Sequence, residues 1–274
     1  MALTDALQII SVSDPGKVRG HNEDCVESRP DIGVVVLADG MGGYNAGEVA
    51  SGMATSSIAT GLAQAWTKER ISKLSRNDAA ALCQSILQEQ VSIANRAIFD
   101  TAQKDPQCAG MGTTLVACVF HDNFLTVGHI GDSRLYRMRN DALEQITRDH
   151  SLLQEQIDSG LITKEDARQS HNKNLVTRAV GIDPDVEAEI HTYDVAEGDI
   201  YLLCSDGLND MIEDEEIQMT MIALRTNLEL TAQQLVQAAN DAGGRDNVSV
   251  MLVKVLRPFP VERGFWAKVK SFFA

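Results

Sequence analysis

Residues 33–48 read GVVVLADGMGGYNAGE. From Val34 to Ala38 the side chains are apolar without a break, and the run stops on Asp39. A strand with one wet face alternates polar and apolar residues. An unbroken run therefore marks a strand covered on both faces, inside a layered domain. The residues after Asp39 are Gly40, Met41, Gly42 and Gly43, so a carboxylate leaves the end of a buried strand beside nearly bare backbone.

The same pattern recurs elsewhere. VVVLADG (34–40) has a counterpart in YLLCSDG (201–207), each an apolar strand, a small residue and then Asp-Gly. GGRDNVSVML puts Asp246 just before another buried strand, GHIGDSRLY puts Asp132 in a short turn between two strands, and NEDC sets Glu23 and Asp24 side by side. Singly, each is explained by turn chemistry, since Asp-Gly is a common turn dipeptide. Together they are acidic residues at the ends of core strands, where side chains converge. Converging carboxylates repel unless a cation neutralises them. Hard divalent ions such as Mg²⁺ or Mn²⁺ take oxygen ligands of this kind and need no Cys or His. Arg19, in VRGHNED, offers a planar fork of donors suited to a phosphoryl group; an ion pair with Glu23 or Asp24 is the alternative.

Around these points the chain has 274 residues, 44% hydrophobic and 23% charged, enough for one large core. A net charge of −15 leaves no electrostatic footprint for nucleic acid or anionic lipid. The five cysteines are scattered, odd in number and mostly in apolar runs, which reads as reduced core thiols in a cytoplasmic protein. No signal-peptide pattern and no membrane-length apolar run is expected. Helical spacing covers 45–66 and 77–103, with Asn77 or Asp78 as the cap, and further helices fall near 214–224 and 231–242, the latter opened by Thr231 and Gln234 at capping-box spacing. GTTLVACVF, FLTVGHIG and RLYRMRN follow one another as strands through short turns, which predicts antiparallel neighbours. Strands and helix pairs come in blocks, so the expected class is α+β with antiparallel sheets.

In order, DPGKVRGHNED, VVVLADGMGG, GMGTTLVACV, GHIGDSRLY, TRDHS, LVTRAVG, CSDGL and GGRDNVSV resemble the metal-dependent Ser/Thr protein phosphatases of type 2C (the PPM family), in its compact bacterial form. The matches run from about Ser13 to Val255. The resemblance implies an αββα four-layer sandwich, two antiparallel β-sheets flanked by helix pairs, with two Mn²⁺ or Mg²⁺ ions in a cleft at one end. It implies that Asp39 bridges the ions and that the Gly40 carbonyl binds one of them. Asp206 and Asp246 match ligands of the first ion, Glu23 serves the second, and Asp132 with Asp206 matches a weaker third position. Arg19 matches the phosphate-binding arginine and Asp24 a carboxylate that hydrogen-bonds metal-bound water. The implied reaction is hydrolysis of phosphoserine and phosphothreonine by direct attack of a metal-bridging water, opposing a Ser/Thr kinase and acting on phosphorylated protein substrates. On this layout 1–258 is the catalytic domain, 148–174 its flap, and 259–274 a C-terminal amphipathic tail.

One position departs from the family. Where many eukaryotic relatives carry a histidine between the glycines of DG-x-GG, this chain has Met41, which cannot give a proton to the leaving group. His21 and His150 lie in or near matched motifs, but structural histidines are the commoner case. The tail RGFWAKVKSFFA (263–274) is basic and amphipathic, suited to a membrane surface, to a partner protein or to its own domain. The chain is expected to be a monomer. Two other classes compete: a catalytically silent binding domain, which would not need all of Arg19, Glu23, Asp39, Asp132, Asp206 and Asp246, and a carboxylate-metal nuclease, which the acidic charge disfavours.

Overall fold

The computed structural model describes residues 3–43, 46–163, 166–167 and 175–263. One sheet has the order β1 (Leu7–Asp14), β11 (Val248–Val255), β10 (Ile200–Cys204), β7 (Arg134–Arg139) and β8 (Ala142–Gln145). The other has the order β2 (Asp24–Arg29), β3 (Val34–Met41), β5 (Leu115–His121), β6 (Phe124–Ile130) and β9 (Glu189–Asp194), with β4 (Gly112–Thr113) pairing to the end of β3. Every strand pair is antiparallel.

Three packed cores make four layers. Val34, Val36 and Ala38 face outward from the second sheet onto α1 (Ala46–Ala65) and α3 (Arg76–Lys104), meeting Ala50, Ile58, Leu87 and Val91. Val35 and Leu37, pointing the other way, join Phe120, Tyr201, Leu203 and Met251 between the sheets. Leu202, Val250 and Leu252 pack outward from the first sheet against α6 (Asp214–Leu224) and α7 (Leu228–Asp241). Both faces of β3 are thus buried, which is the physical reason its sequence does not alternate. Each such Leu or Val contributes roughly 1.5–3 kcal/mol of hydrophobic stabilisation. The αββα sandwich is the architecture expected. Among the described residues there are also the short helices α2 (Lys68–Ile71), α4 (Leu152–Asp158) and α5 (Asp206–Asn209), and 3-10 turns at Leu3–Asp5 and Pro106–Cys108.

Several local expectations are corrected. The cap of α3 is Ser75, whose Oγ accepts from the Asp78 N–H; Asp78 is the third residue of the helix and bonds back to that hydroxyl. Likewise α7 starts at Leu228 behind Asn227, so Thr231 lies inside the first turn, its hydroxyl returned to Leu224 and Asn227 carbonyls. The segment GTTLVACVF is interrupted at Thr114, between β4 and β5. The turn GDS is not a hairpin: β6 and β7 belong to different sheets, and the chain crosses between them at Gly131–Ser133. Gly131, at φ +100°, adopts a left-handed backbone closed to most side chains, and this makes the abrupt crossing feasible.

Phe259 is buried in the inter-sheet core, and Val261 and Arg263 bond to Asp122 in the β5–β6 turn. Residues 259–263 therefore belong to the packed domain rather than to a separate tail. The remainder of the expected tail, 264–274, lies outside the described residues, as do residues 168–174 of the expected flap. No described helix is long and apolar enough to cross a membrane.

Candidate active site

The acidic residues picked out from the sequence meet at one pole of the sandwich. Antiparallel pairing places there the C-terminal ends of β3, β6 and β10 and the N-terminal ends of β2 and β11. Asp39 ends the apolar run of β3 and sits opposite Asp24 in the ladder. Asp132 follows β6, Asp206 follows β10 as the first residue of α5, and Asp246 precedes β11. The β5–β6 turn that holds residues 261–263 is at the far pole.

Hydrogen bonds fix the chain at Asp39, Glu23 and Asp24. The Asp39 N–H donates to Thr114 Oγ1 at 2.9 Å, and its carbonyl accepts from Thr114 N–H and Thr113 Oγ1, both at 2.8 Å. Gly40 and Gly47 let β3 touch the first turn of α1: a Cβ on Gly40 would collide with the Gly47 carbonyl oxygen and crowd that of Glu23. Glu23 in turn lies against Gly47, whose N–H its carboxylate accepts at the positive end of the helix. Asn247 ties these loops together. Its Oδ1 accepts from Glu23 N–H at 2.8 Å, and its Nδ2 donates to the carbonyls of Pro15 at 3.1 Å and His21 at 2.8 Å. Ser205 donates to Asp24 Oδ2 at 2.7 Å and accepts from Ser249 N–H at 2.9 Å, linking the ends of the two sheets.

The electrostatics of the pole are those of crowded anions. Asp39 and Asp206 are half-buried by area but so enclosed that burial, followed by neighbouring carboxylates, holds both well above the usual range. Asp24, Asp206, Asp132 and Asp246 act on Asp39; Asp132, Asp210, Asp246 and Asp24 act on Asp206. Burial pushes Asp24 up to about 6 against hydrogen bonds from Ser249 and Ser205. It pushes Asp132 up to about 7, with Asp149 and Asp210 adding and Arg134 opposing. Glu23 is raised, again chiefly by burial. Asp24 Oδ1 is buried with no hydrogen-bond partner. A divalent cation would relieve all of these at once.

The donor set fits such a cation: every group is an oxygen, the adjoining Asp24 Oδ1 is buried and orphaned as an acceptor for a water would be, and the Gly40–Gly47 contact leaves no side chain in the way. Arg19, exposed at the rim, donates to Asp246 Oδ2 at 2.7 Å rather than to Glu23 or Asp24. Met41 pairs with Gly112 at the end of β3. His21 is exposed. His150 is buried, its ring bonded to Gly131 and Glu189. Among the described residues, one trio of His, Cys, Asp or Glu side chains places its ligand atoms all within 4.8 Å of one another: His129, His150 and Glu189, at the C-terminal end of β6 and distinct from the cleft carboxylates. The cleft carboxylates are spread more widely, as suits ions that keep several waters between their ligands. Thr114, Ser205, Asp210 and Asn247 were not singled out from the sequence. They are polar residues adjoining the motifs, and nothing in their local pattern announces their partners.

A sequence profile of protein phosphatase 2C matches residues 21–253. The chain is 38% identical over 245 residues to the serine/threonine phosphatase stp of Listeria innocua, covering 88% of this chain and 93% of that one. The crystal structure of the Mycobacterium tuberculosis serine/threonine phosphatase PstP/Ppp superposes with a TM-score of 0.80 at 35% identity, over 91% of this chain and 99% of that one. A PstP catalytic domain solved with two manganese ions gives 0.77 at 35% identity, covering 92% of this chain and 99% of that one.

Proposed function

The chain belongs to the protein phosphatase 2C family, and on that footing we propose that its acidic cleft hydrolyses phosphoserine and phosphothreonine in protein substrates. It is a metal-dependent Ser/Thr phosphatase of the bacterial type. The observation that carries the reading is the crowding of Asp39 and Asp206. Two carboxylates at the ends of strands from different sheets are enclosed together, both raised by burial and by the shared neighbours Asp24, Asp132 and Asp246, an arrangement that wants a cation.

The roles we assign follow the motif positions. Asp39 would bridge two Mn²⁺ or Mg²⁺ ions, with the Gly40 carbonyl on one of them. Asp206 and Asp246 would serve the first ion and Glu23 the second, and Asp132 with Asp206 would form a weaker third position. When bound, such ions supply a water of lowered pKa as nucleophile and neutralise charge on the phosphoryl oxygens. The chain's own part is orientation. Arg19 holds Asp246 through Nη2 and keeps the rest of its fork for a phosphoryl oxygen. Asp24, held at Oδ2 by Ser205, has Oδ1 open to accept a hydrogen bond from water. Burial raises the thiols of Cys83 and Cys204 to about 12, which supports hydrolysis without a cysteine nucleophile.

Around this core we place 1–258 as the catalytic domain with 148–174 as flap, extended by the packed residues 259–263. A monomer in the cytoplasm, opposing a Ser/Thr kinase and acting on its targets, is the setting we propose. The last described residues lie at the pole away from the cleft, so a tail resting on a membrane surface or a partner would leave the cleft open. The test is hydrolysis of a small aryl phosphate with Mn²⁺, expected to vanish with EDTA and in Asp206→Asn. No turnover with any divalent metal would overturn the enzyme reading in favour of a binding domain. Metal-dependent cleavage of DNA without phosphatase activity would favour the nuclease.

A further inference from the structure

The segment Thr147–Ser151 runs beside the crossing that carries Asp132, and four of its residues are bonded to it in succession. Thr147 Oγ1 accepts from Leu135 N–H at 2.9 Å. The Arg148 carbonyl accepts from His129 Nε2 at 2.8 Å. Asp149 takes the Arg134 guanidinium at 2.7 and 3.0 Å. His150 holds both peptide groups of the residue before Asp132: its N–H donates to the Gly131 carbonyl at 2.8 Å, and its Nδ1 accepts from Gly131 N–H at 3.2 Å. The fifth residue, Ser151, caps α4, the first helix of the flap. Where the flap returns, Thr177 N–H donates to the His150 carbonyl at 2.8 Å and Leu152 N–H donates to the Leu175 carbonyl at 2.9 Å.

We propose that His150 is a positioning residue that sets Asp132 for metal binding and couples it to the root of the flap. The proposal rests on Asp132 being a cleft ligand, as argued above. An amide can only donate, so Nδ1 carries no proton and Nε2 does, directed at Glu189 Oε2 at 3.4 Å. Glu189 is itself steadied by His191 at 2.9 Å, and the His150 ring is stacked on His129 at 4.7 Å between centroids. His150 is therefore fixed on every side, and what it fixes is Gly131, at φ +100°. Flap root and Asp132 share this one residue, so displacing one moves the other.

The trio His129, His150 and Glu189 has the spacing of a zinc site, but its bonding is that of a stack. The two ring planes lie 20° apart, so their lone pairs lie in nearly parallel, stacked planes and do not meet on one ion. Ligation through Nε2 would also put a proton on Nδ1, facing the Gly131 N–H.

Three substitutions separate the possibilities in the full-length protein. Asn places an oxygen where Nδ1 is and keeps the bond to Gly131; Gln reaches Glu189 but not Gly131; Ala does neither. In His150→Ala and His150→Gln, the Mn²⁺ concentration for half-maximal activity should rise about 10- to 100-fold. Calorimetric Mn²⁺ affinity should fall in parallel, while KM and kcat at saturating Mn²⁺ stay near wild type. His150→Asn should restore the metal response. Hydrogen exchange at the Gly131 amide of the metal-free protein should quicken with Ala and Gln but not with Asn. Equal losses in all three variants, or no change in metal response with Ala, would overturn the proposal. Stoichiometric Zn²⁺ binding lost in every variant would overturn it too. Asp132→Asn separates the two levels: if it leaves the Mn²⁺ response unchanged, the ligand reading fails and this proposal with it. If it shifts the response and His150→Ala does not, only the coupling fails.

Discussion

Replacing Asp132 by Asn should stabilise the metal-free protein, increasingly so as pH rises. Asp132 is 6% exposed, and burial with the charges of Asp149 and Asp210 lifts its carboxyl from 3.8 to about 7. The folded chain thus binds this proton more tightly than the unfolded chain does. The stability tied to the group is fully present below its ordinary value and is lost as pH rises through about 7. The displacement corresponds to at most ~4 kcal/mol above both values, of which ~2–3 kcal/mol accumulates between pH ~5 and pH ~8. For a chain of 274 residues, the advantage of Asn over wild type should grow by ~4 °C in Tm across that interval. Thermal melts followed by circular dichroism in EDTA, at both pH values and for both proteins, measure it. Mn²⁺ should narrow the gap by stabilising wild type more than the variant. An advantage that does not change with pH, or a variant less stable than wild type at pH ~8, would refute the reasoning.

Three other substitutions probe separate parts of the cleft. Arg19→Ala should raise KM for an aryl phosphate about tenfold or more with a smaller effect on kcat, since the fork binds the phosphoryl group throughout the reaction; an unchanged KM with a collapsed kcat would show a contact made only in the transition state. Asn247→Ala removes a 4%-exposed amide that serves Pro15, His21 and Glu23, and should cost ~2–4 kcal/mol in urea unfolding. A loss below ~1 kcal/mol would show that the three loops hold without it. Gly40→Ala drives a methyl into the Gly47 carbonyl and should cost ~2–3 kcal/mol or abolish folding, read as a shifted urea midpoint; wild-type stability would contradict the close approach of β3 and α1.

The part of the candidate site carried by strand ends was legible in the sequence because burial on both faces writes an unbroken apolar run. Asp39 and Asp206 stand out as the residues on which such runs stop. Asp132 was found but misplaced. A short link between two strands looks the same whether they share a sheet or not, and only the left-handed Gly131 betrays the crossing. Arg19 was read with Glu23 or Asp24 as its ion-pair alternative, because near neighbours in sequence are the natural candidates. Its partner, Asp246, comes from the far end of the chain. Ser205, Thr114 and Asn247 escaped for the same reason, since a polar residue's partner is set by topology rather than by local pattern. The helix starts erred through competition between signals. Ser75 and Asp78 act together at α3, and Asn227 precedes Thr231 at α7.

The central claim is that the pole where β3, β6 and β10 end is a centre for divalent cations that hydrolyse phosphate esters. Anomalous diffraction from crystals grown with Mn²⁺ tests it most directly. The account predicts manganese peaks on either side of the Asp39 carboxylate, within bonding reach of Asp206, Asp246 and the Gly40 carbonyl, in protein that hydrolyses a phosphothreonine peptide. Ordered manganese bound elsewhere, with none at Asp39 in a protein that remains active, would contradict it.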